Sequence, residues 1–255
     1  MAMSRTPTGE SVTARVVRVL SSFDADTPSL SVSDIARRSD LPVATAHRIV
    51  GELVKFRLLE RNDTRISIGV RMWELGSRGS HTLSLREAAM PFMEDVNAAI
   101  KQHTQLGVLD GNEVLFVERL STRGSVVNVT KIAGRLPVHA CSSGLVLMAN
   151  ASRDVQDELL SQPLERYTDA TVTDPDQMRR LLAEVRHQHF AVAAGLITPG
   201  ATGVAVPVRD SDGGRVIAAL SVVIPHDQAN PQSVVAALTT ASRGITRAMT
   251  RGSRH

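Results

Sequence analysis

One cysteine, one tryptophan, one tyrosine and three lysines are all that this 255-residue chain contains of those types. The lone cysteine, Cys141, excludes an internal disulfide and any paired-cysteine metal knuckle. Aromatic residues are sparse, at 3 % of the chain, yet an apolar content of 42 % suffices for ordinary cores. No apolar run approaches the roughly 20 residues that a membrane-spanning helix needs. The stretch from Met1 to Gly9 is polar and lacks the apolar centre of a signal peptide. A cytoplasmic protein of one or two domains, with no membrane contact, is therefore expected. Lysine is scarce against 26 arginines, which reads as genomic base composition rather than function. No repeat or low-complexity tract stands out.

What is present is concentrated between Leu30 and Gly69. Ser31-Val32-Ser33-Asp34 places a hydroxyl three residues before an acid, a helix-start signal. Ile35 and Ala36 supply the apolar face of a short helix ending near Ser39. Asp40-Leu41-Pro42 forms a turn, and Pro42 suits the first turn of a second helix, expected from Pro42 to Phe56. On that helix Ala46, Ile49, Val50, Leu53 and Val54 share one face, while Thr45, His47, Arg48, Glu52 and Lys55 occupy the other. Two short helices around a tight turn, with polar donors early on the second, match helix-turn-helix docking into a major groove. Leu58 to Arg61 and Ile66 to Ile68, around Asn62-Asp63-Thr64-Arg65, predict a β-hairpin wing that lays Arg61 or Arg65 against DNA. Thr45, His47 and Arg48 become the expected groove or phosphate contacts. Arg48 could read guanine bidentately or only hold phosphate.

Charge agrees with this placement. Residues 1–80 hold 12 basic and 9 acidic residues, leaving 17 of each for the rest, so the whole excess of +3 lies in the first part. A small excess fits a limited number of phosphate contacts and salt-dependent affinity.

The chain divides near residue 80. Ser11 to Phe23 reads as a supporting helix, and Val70 to Ser77 as a further one before a break at Arg78 to His81. The expected division is a DNA-binding domain over 10–70, a linker helix over 71–84 and a second domain over 85–252. Leu85 to His103 is a long helix. Thr104 to Leu109 and Glu113 to Leu120 are strands around the hairpin signal Asp110-Gly111-Asn112. Ser125 to Thr130 is expected as a third strand. Leu145 to Ala149, Ser152 to Leu160 and Pro175 to Gln188 follow as helices. Phe190 to Ala193, Val204 to Val208 and Val216 to Ile224 are strands, and a helix from Pro231 to Met249 closes the chain. Antiparallel strands with helical insertions indicate an α+β domain.

Four segments make the chain resemble the IclR family of transcriptional regulators. They are the helix pair from Leu30 to Arg48, the wing into Ile68-Gly69, Gly134-Arg135-Leu136-Pro137-Val138-His139-Ala140-Cys141-Ser142-Ser143-Gly144, and Gly200 to Pro225. The likeness runs from about Ser11 to Arg251. It implies an N-terminal winged helix-turn-helix domain joined by a linker helix to a C-terminal GAF-like domain that binds a small organic acid. It also implies homodimers or tetramers acting on operator DNA to repress or activate catabolic genes.

Departures from the family pattern bear on the ligand. Leu145-Val146 stands where Lys-Ala is usual. Ala193-Ala194-Gly195-Leu196 replaces a commonly acidic stretch, and Gly203 replaces a polar or cysteine residue. These changes predict a roomier, less polar pocket, suited to an effector with an apolar body and one acidic or polar end, such as an aromatic acid. Free amides and hydroxyls at a helix start near Gly144 form an anion site. The resemblance implies that this segment contacts the effector and that Ser221 lies on a strand facing it, so His139, Cys141, Ser142, Ser143, Leu145 and Ser221 are the expected effector contacts.

Cys141 two residues from His139 also raises nucleophilic catalysis. No orienting third group accompanies them, and no ligand spacing marks a metal site. The reading is thus a repressor of a catabolic operon without catalytic residues, cofactor or metal. Its rivals are a small-molecule enzyme with a helical N-terminal appendage, and a DNA-architectural protein that leaves the second domain unexplained. In the regulator reading the helix from Val70, carrying Trp73, transmits ligand binding to the spacing of two recognition helices.

Overall fold

In a computed structural model, residues 9–24, 26–78, 81–126, 130, 132–210, 214–228 and 230–252 are described. The chain forms two compact units, residues 1–80 and 81–255.

In the first unit, α1 (Val12–Leu20) starts at Ser11, whose Oγ accepts the Ala14 amide at 3.0 Å. Helix α2 (Val32–Arg38) starts at Ser31, whose Oγ accepts the Asp34 amide at 3.1 Å and donates to Asp34 Oδ2 at 2.7 Å. Helix α3 (Val43–Lys55) begins one residue later than expected, with Pro42 as its N-cap and no side-chain cap. Asp40, at φ 48°, makes the left-handed turn between α2 and α3. Arg18 braces that turn, donating to the carbonyls of Ser39 and Asp40 while pairing with Glu10. Ile35, Ala46, Ile49, Val50 and Leu53 close a small core with Val19, Leu59 and Ile66.

The wing is β2 (Leu59–Asn62) paired antiparallel with β3 (Arg65–Ile68). A two-residue strand missed in the sequence, β1 (Ser29–Leu30), pairs with the other edge of β3. It is too short to show an alternation. Helix α4 (Val70–Ser77) ends the unit. Helix α4 stops at Ser77, where the expected helix over Val70 to Ser77 ends, and residues 81–84 of the segment assigned to the linker lie in the next helix, α5 (His81–Ile100).

The second unit is built on one six-stranded antiparallel sheet. Its strands are β4 (His103–Asp110), β5 (Glu113–Leu120), β6 (Arg135–Pro137), β7 (Ala191–Ala194), β8 (Ala201–Arg209) and β9 (Val216–Pro225), in the order β6-β5-β4-β9-β8-β7. Gly111, at φ 61°, turns the β4–β5 hairpin. The third strand expected at Ser125 to Thr130 is not seen in Ser125, Val126 or Thr130, and residues 127–129 lie outside the described set. Arg135–Pro137 pairs with β5 instead.

The two faces of this sheet differ. Val204, Val206, Val208, Leu220 and Val222 pack with α5 and α9 (Pro231–Gly252) into one core. The opposite face carries small residues, among them Gly203, Ala205 and Ala219, and is covered by α6 (Ser142–Ala149), on which α8 (Pro175–Gln188) packs. Helix α8 begins with Asp174 Oδ1 accepting the Gln177 amide at 2.8 Å and Pro175 at the first position. Helix α7 (Arg153–Leu160) adds Leu159 and Leu160 to the same core.

Candidate functional site

On α3, the faces separate as the 3.6-residue period requires. His47 and Arg48 are exposed and Thr45 is half-buried, opposite the buried Ala46, Ile49 and Val50. Among the described residues His47 and Arg48 have no hydrogen-bond or ion-pair partner, unlike Arg18 and Arg38, which bind backbone carbonyls and carboxylates. Arg61 and Arg65 are exposed at the wing. Arg61 stands opposite the buried Ile66 and Arg65 opposite Asn62, so the two arginines leave opposite faces of the hairpin. An exposed recognition helix beside a wing with an arginine on each side is an arrangement that can meet a polyanion.

In the second unit, a cavity of about 60 Å³ lies between the start of α6 and the small-residue face of the sheet. Cys141, Ser142 and Ser143, three of the expected contacts, line it. Gly144 lets the chain turn here, because a Cβ at this position would collide with the backbone of Val138. Ser143 Oγ donates to Ser221 Oγ at 2.9 Å, joining α6 to β9. A Cβ on Gly203 would stand 2.7 Å from Ser142 Oγ, so the glycine keeps this wall open.

Three expected contacts do not line the cavity. Leu145 is 1 % exposed and belongs to the core behind the cavity, because its helical position turns it away from the opening. His139 does not line the cavity: its Nε2 donates to the Glu165 carbonyl at 2.9 Å, and its ring lies 6.0 Å from that of Tyr167. Ser221 reaches the site only through Ser143, being itself buried behind it. Sequence reading missed Gln105, Phe116, Leu136, Ile197, Thr198 and Val223, which come from four separate strands and a turn. The period-2 alternation of β4 could have flagged Gln105 as a polar residue within a buried run. Phe116, Leu136, Leu196 and Ile197 line the cavity together with Gly203 and Ala193.

The thiol–imidazole pair does not form a nucleophile. Burial pushes the Cys141 thiol up to about 12, so it stays protonated, and its Sγ accepts the Gly144 amide at 3.4 Å as a helix cap. Among the described residues no three His, Cys, Asp or Glu side chains converge on a metal position. No helix among them is long and apolar enough to cross a membrane.

An exposed winged helix-turn-helix unit, followed by an α+β unit with an internal cavity at a helix start, defines a ligand-responsive DNA-binding regulator. Comparison with known proteins makes the assignment specific. Residues 79–247 match the bacterial transcriptional regulator IclR C-terminal domain, and residues 12–63 match the IclR helix-turn-helix domain. The chain belongs to the IclR family of transcriptional regulators. It is similar to a crystal structure of an IclR homolog from Microbacterium hydrocarbonoxydans complexed with 4-hydroxybenzoate. The identity is 49 % and the TM-score 0.88, with 94 % of this chain and 99 % of that one covered. The regulator XynR of Escherichia coli is 28 % identical over 211 residues, 82 % of this chain and 83 % of that one. The repressor AllR of Klebsiella pneumoniae is 25 % identical over 231 residues, 89 % of this chain and 84 % of that one. These relatives are transcriptional regulators, which removes the reading of an enzyme with a helical appendage.

Proposed function

We propose that this protein represses a catabolic operon and is controlled by an aromatic carboxylic acid bound beneath α6. The observation that carries the reading is the cavity itself. Its lining joins the apolar Phe116, Leu136, Leu196 and Ile197 to the hydroxyls of Ser142 and Ser143, a combination that suits an apolar body with a polar end. That a 49 % identical relative holds 4-hydroxybenzoate supports the same class of ligand. Ser142 and Ser143, at the α6 N-terminus, receive the carboxylate, where helix amides and the dipole favour negative charge.

Operator DNA is bound through Thr45, His47 and Arg48 on α3, with Arg61 and Arg65 holding phosphate from the wing. The protein acts as a homodimer or a tetramer, since one recognition helix spans too few base pairs. Val70, Trp73 and Leu75 support this, because α4 exposes all three apolar side chains, Trp73 by 70 %.

The test is calorimetric titration with 4-hydroxybenzoate, benzoate, glyoxylate and pyruvate, paired with binding to DNA from the protein's own upstream region. Saturable binding of the aromatic acids that lowers DNA affinity is the expected result. Tight binding of glyoxylate or pyruvate, with no response to the aromatic acids, would sink the proposal.

A further inference from the structure

Strand β5 carries two adjacent charges that go to opposite faces of the sheet. Glu118 is 3 % exposed and accepts from Arg86 Nε of α5 at 2.6 Å, on the sealed face. Arg119 therefore points to the face that holds the cavity. There it meets no carboxylate among the described residues. One of its terminal nitrogens donates to the Thr130 carbonyl and the other to His103 Nδ1 at 3.2 Å. Its Nε is buried and has no hydrogen-bond partner among the described residues. Partial burial lowers its affinity for a proton.

The neighbours of Arg119 lead into the cavity. In the ladder Gln105 stands between Arg119 of β5 and Ser221 of β9. Directly opposed residues share a face, so Arg119, Gln105 and Ser221 form one polar row across three strands. Ser221 continues the row to Ser143 of α6. Gln105 is buried, lines the cavity and donates to Thr130 Oγ1. The cavity lining contains no acidic and no basic residue, so Arg119 is the nearest cation that this row supplies. His103 cannot add a second charge. Its Nε2 donates to the Val126 carbonyl at 2.7 Å, and its Nδ1 accepts from Ser121 Oγ at 3.0 Å and from Arg119.

We infer that Arg119 is the counter-charge that selects an anionic effector, acting through Gln105 on a carboxylate lying along the Gln105–Ser221–Ser143 row. This rests on the proposed effector reading and names the residue behind its charge preference. Apolar walls alone would accept an acid and its uncharged amide alike. A guanidinium without a carboxylate partner behind the row separates the two, because its charge attracts a carboxylate through space and an uncharged amide far less. Arg119 is thus a positioning residue for charge rather than a direct contact.

The experiment is to titrate the full-length protein with 4-hydroxybenzoate and with 4-hydroxybenzamide, as wild type, Arg119→Gln, Arg119→Lys and Gln105→Leu. The readout is the ratio of acid to amide affinity, which a purely structural role would not move. Wild type is expected to prefer the acid by about tenfold or more. Arg119→Gln is expected to cut the ratio by about threefold or more, leaving the share due to the α6 N-terminus, while amide affinity stays within about threefold, and Arg119→Lys to restore part of the loss. Gln105→Leu should lower acid affinity by a smaller factor, and it tests the row even if Arg119→Gln does not fold. An unchanged ratio in a folded Arg119→Gln protein, or unchanged acid affinity in Gln105→Leu, overturns the inference and leaves the effector reading standing. Failure of wild type to bind either compound overturns both.

Discussion

The two units handle their polar side chains in opposite ways. In the winged helix-turn-helix unit, His47, Arg48, Arg61 and Arg65 are outside and unpaired among the described residues, while Arg18 and Arg38 are tied into turns. In the α+β unit the polar groups of interest are inside and bonded to one another, as in Ser143 with Ser221 and Gln105 with Thr130. The difference follows from the partners. A DNA backbone is met by mobile exposed charge, and its contacts exchange with counterions. A small molecule must be enclosed, so its donors are held in place before it arrives. The first unit can therefore lose a functional side chain without losing its fold, whereas in the second the site and the core share walls.

The largest expected effect tests that last point. Leu145→Ala should destabilise the α+β unit by about 2–5 kcal/mol, as for a fully buried leucine. Thermal melting should show the loss in the C-terminal unit alone, with the helix-turn-helix unit unchanged. Loss of effector affinity without loss of stability would return Leu145 to the site. Arg48→Ala should cost about 1–3 kcal/mol of operator binding, roughly fivefold to 150-fold. Its melting curve and effector affinity should match wild type. If operator affinity were unchanged, the docking face of α3 would be wrong.

Gly203→Val should straddle the two behaviours. Its added methyl groups enter the cavity against Ser142, costing about 1–3 kcal/mol of stability and blocking aromatic acids. Calorimetry on the folded variant checks this, and full effector affinity would show that the ligand sits elsewhere.

The smallest effect is in pH dependence. Burial, with the Arg119 cation beside it, lowers the His103 pKa below 6.5. The unfolded chain then takes a proton near 6.5 that the folded chain refuses. Stability is present in full above that value and is lost as pH falls through the folded pKa. Melting temperature of the C-terminal unit should drop between about pH 7 and pH 5.5, and less steeply in His103→Gln. Equal slopes would mean that other groups set the acid limb.

Legibility in the sequence followed how local the cause was. The Ser31–Asp34 cap, the α3 apolar stripe and the β4–β5 hairpin were readable because each depends on residues within one or two turns. The start of α6 was readable from Cys141 to Gly144 for the same reason. Gln105 and Arg119 were not read as site residues, since neither has a local signal of binding. The two-residue strand β1 offered no pattern, and Arg135–Pro137 took the place beside β5 that Ser125 to Thr130 was expected to fill.

By itself, the sequence determined where the helices and the longer strands fall, which face of α3 is apolar, and that exposed cations fall on α3 and the wing. Capping, periodicity and charge act over a few residues and need no partner. Only the tertiary structure decided that Leu145 is core, that His139 is turned to Glu165, and that Glu118 and Arg119 part to opposite faces of the sheet. Strand register aligned Arg119, Gln105 and Ser221 from positions far apart in the chain. Register is set by how whole strands bury their faces, a condition no single segment can express.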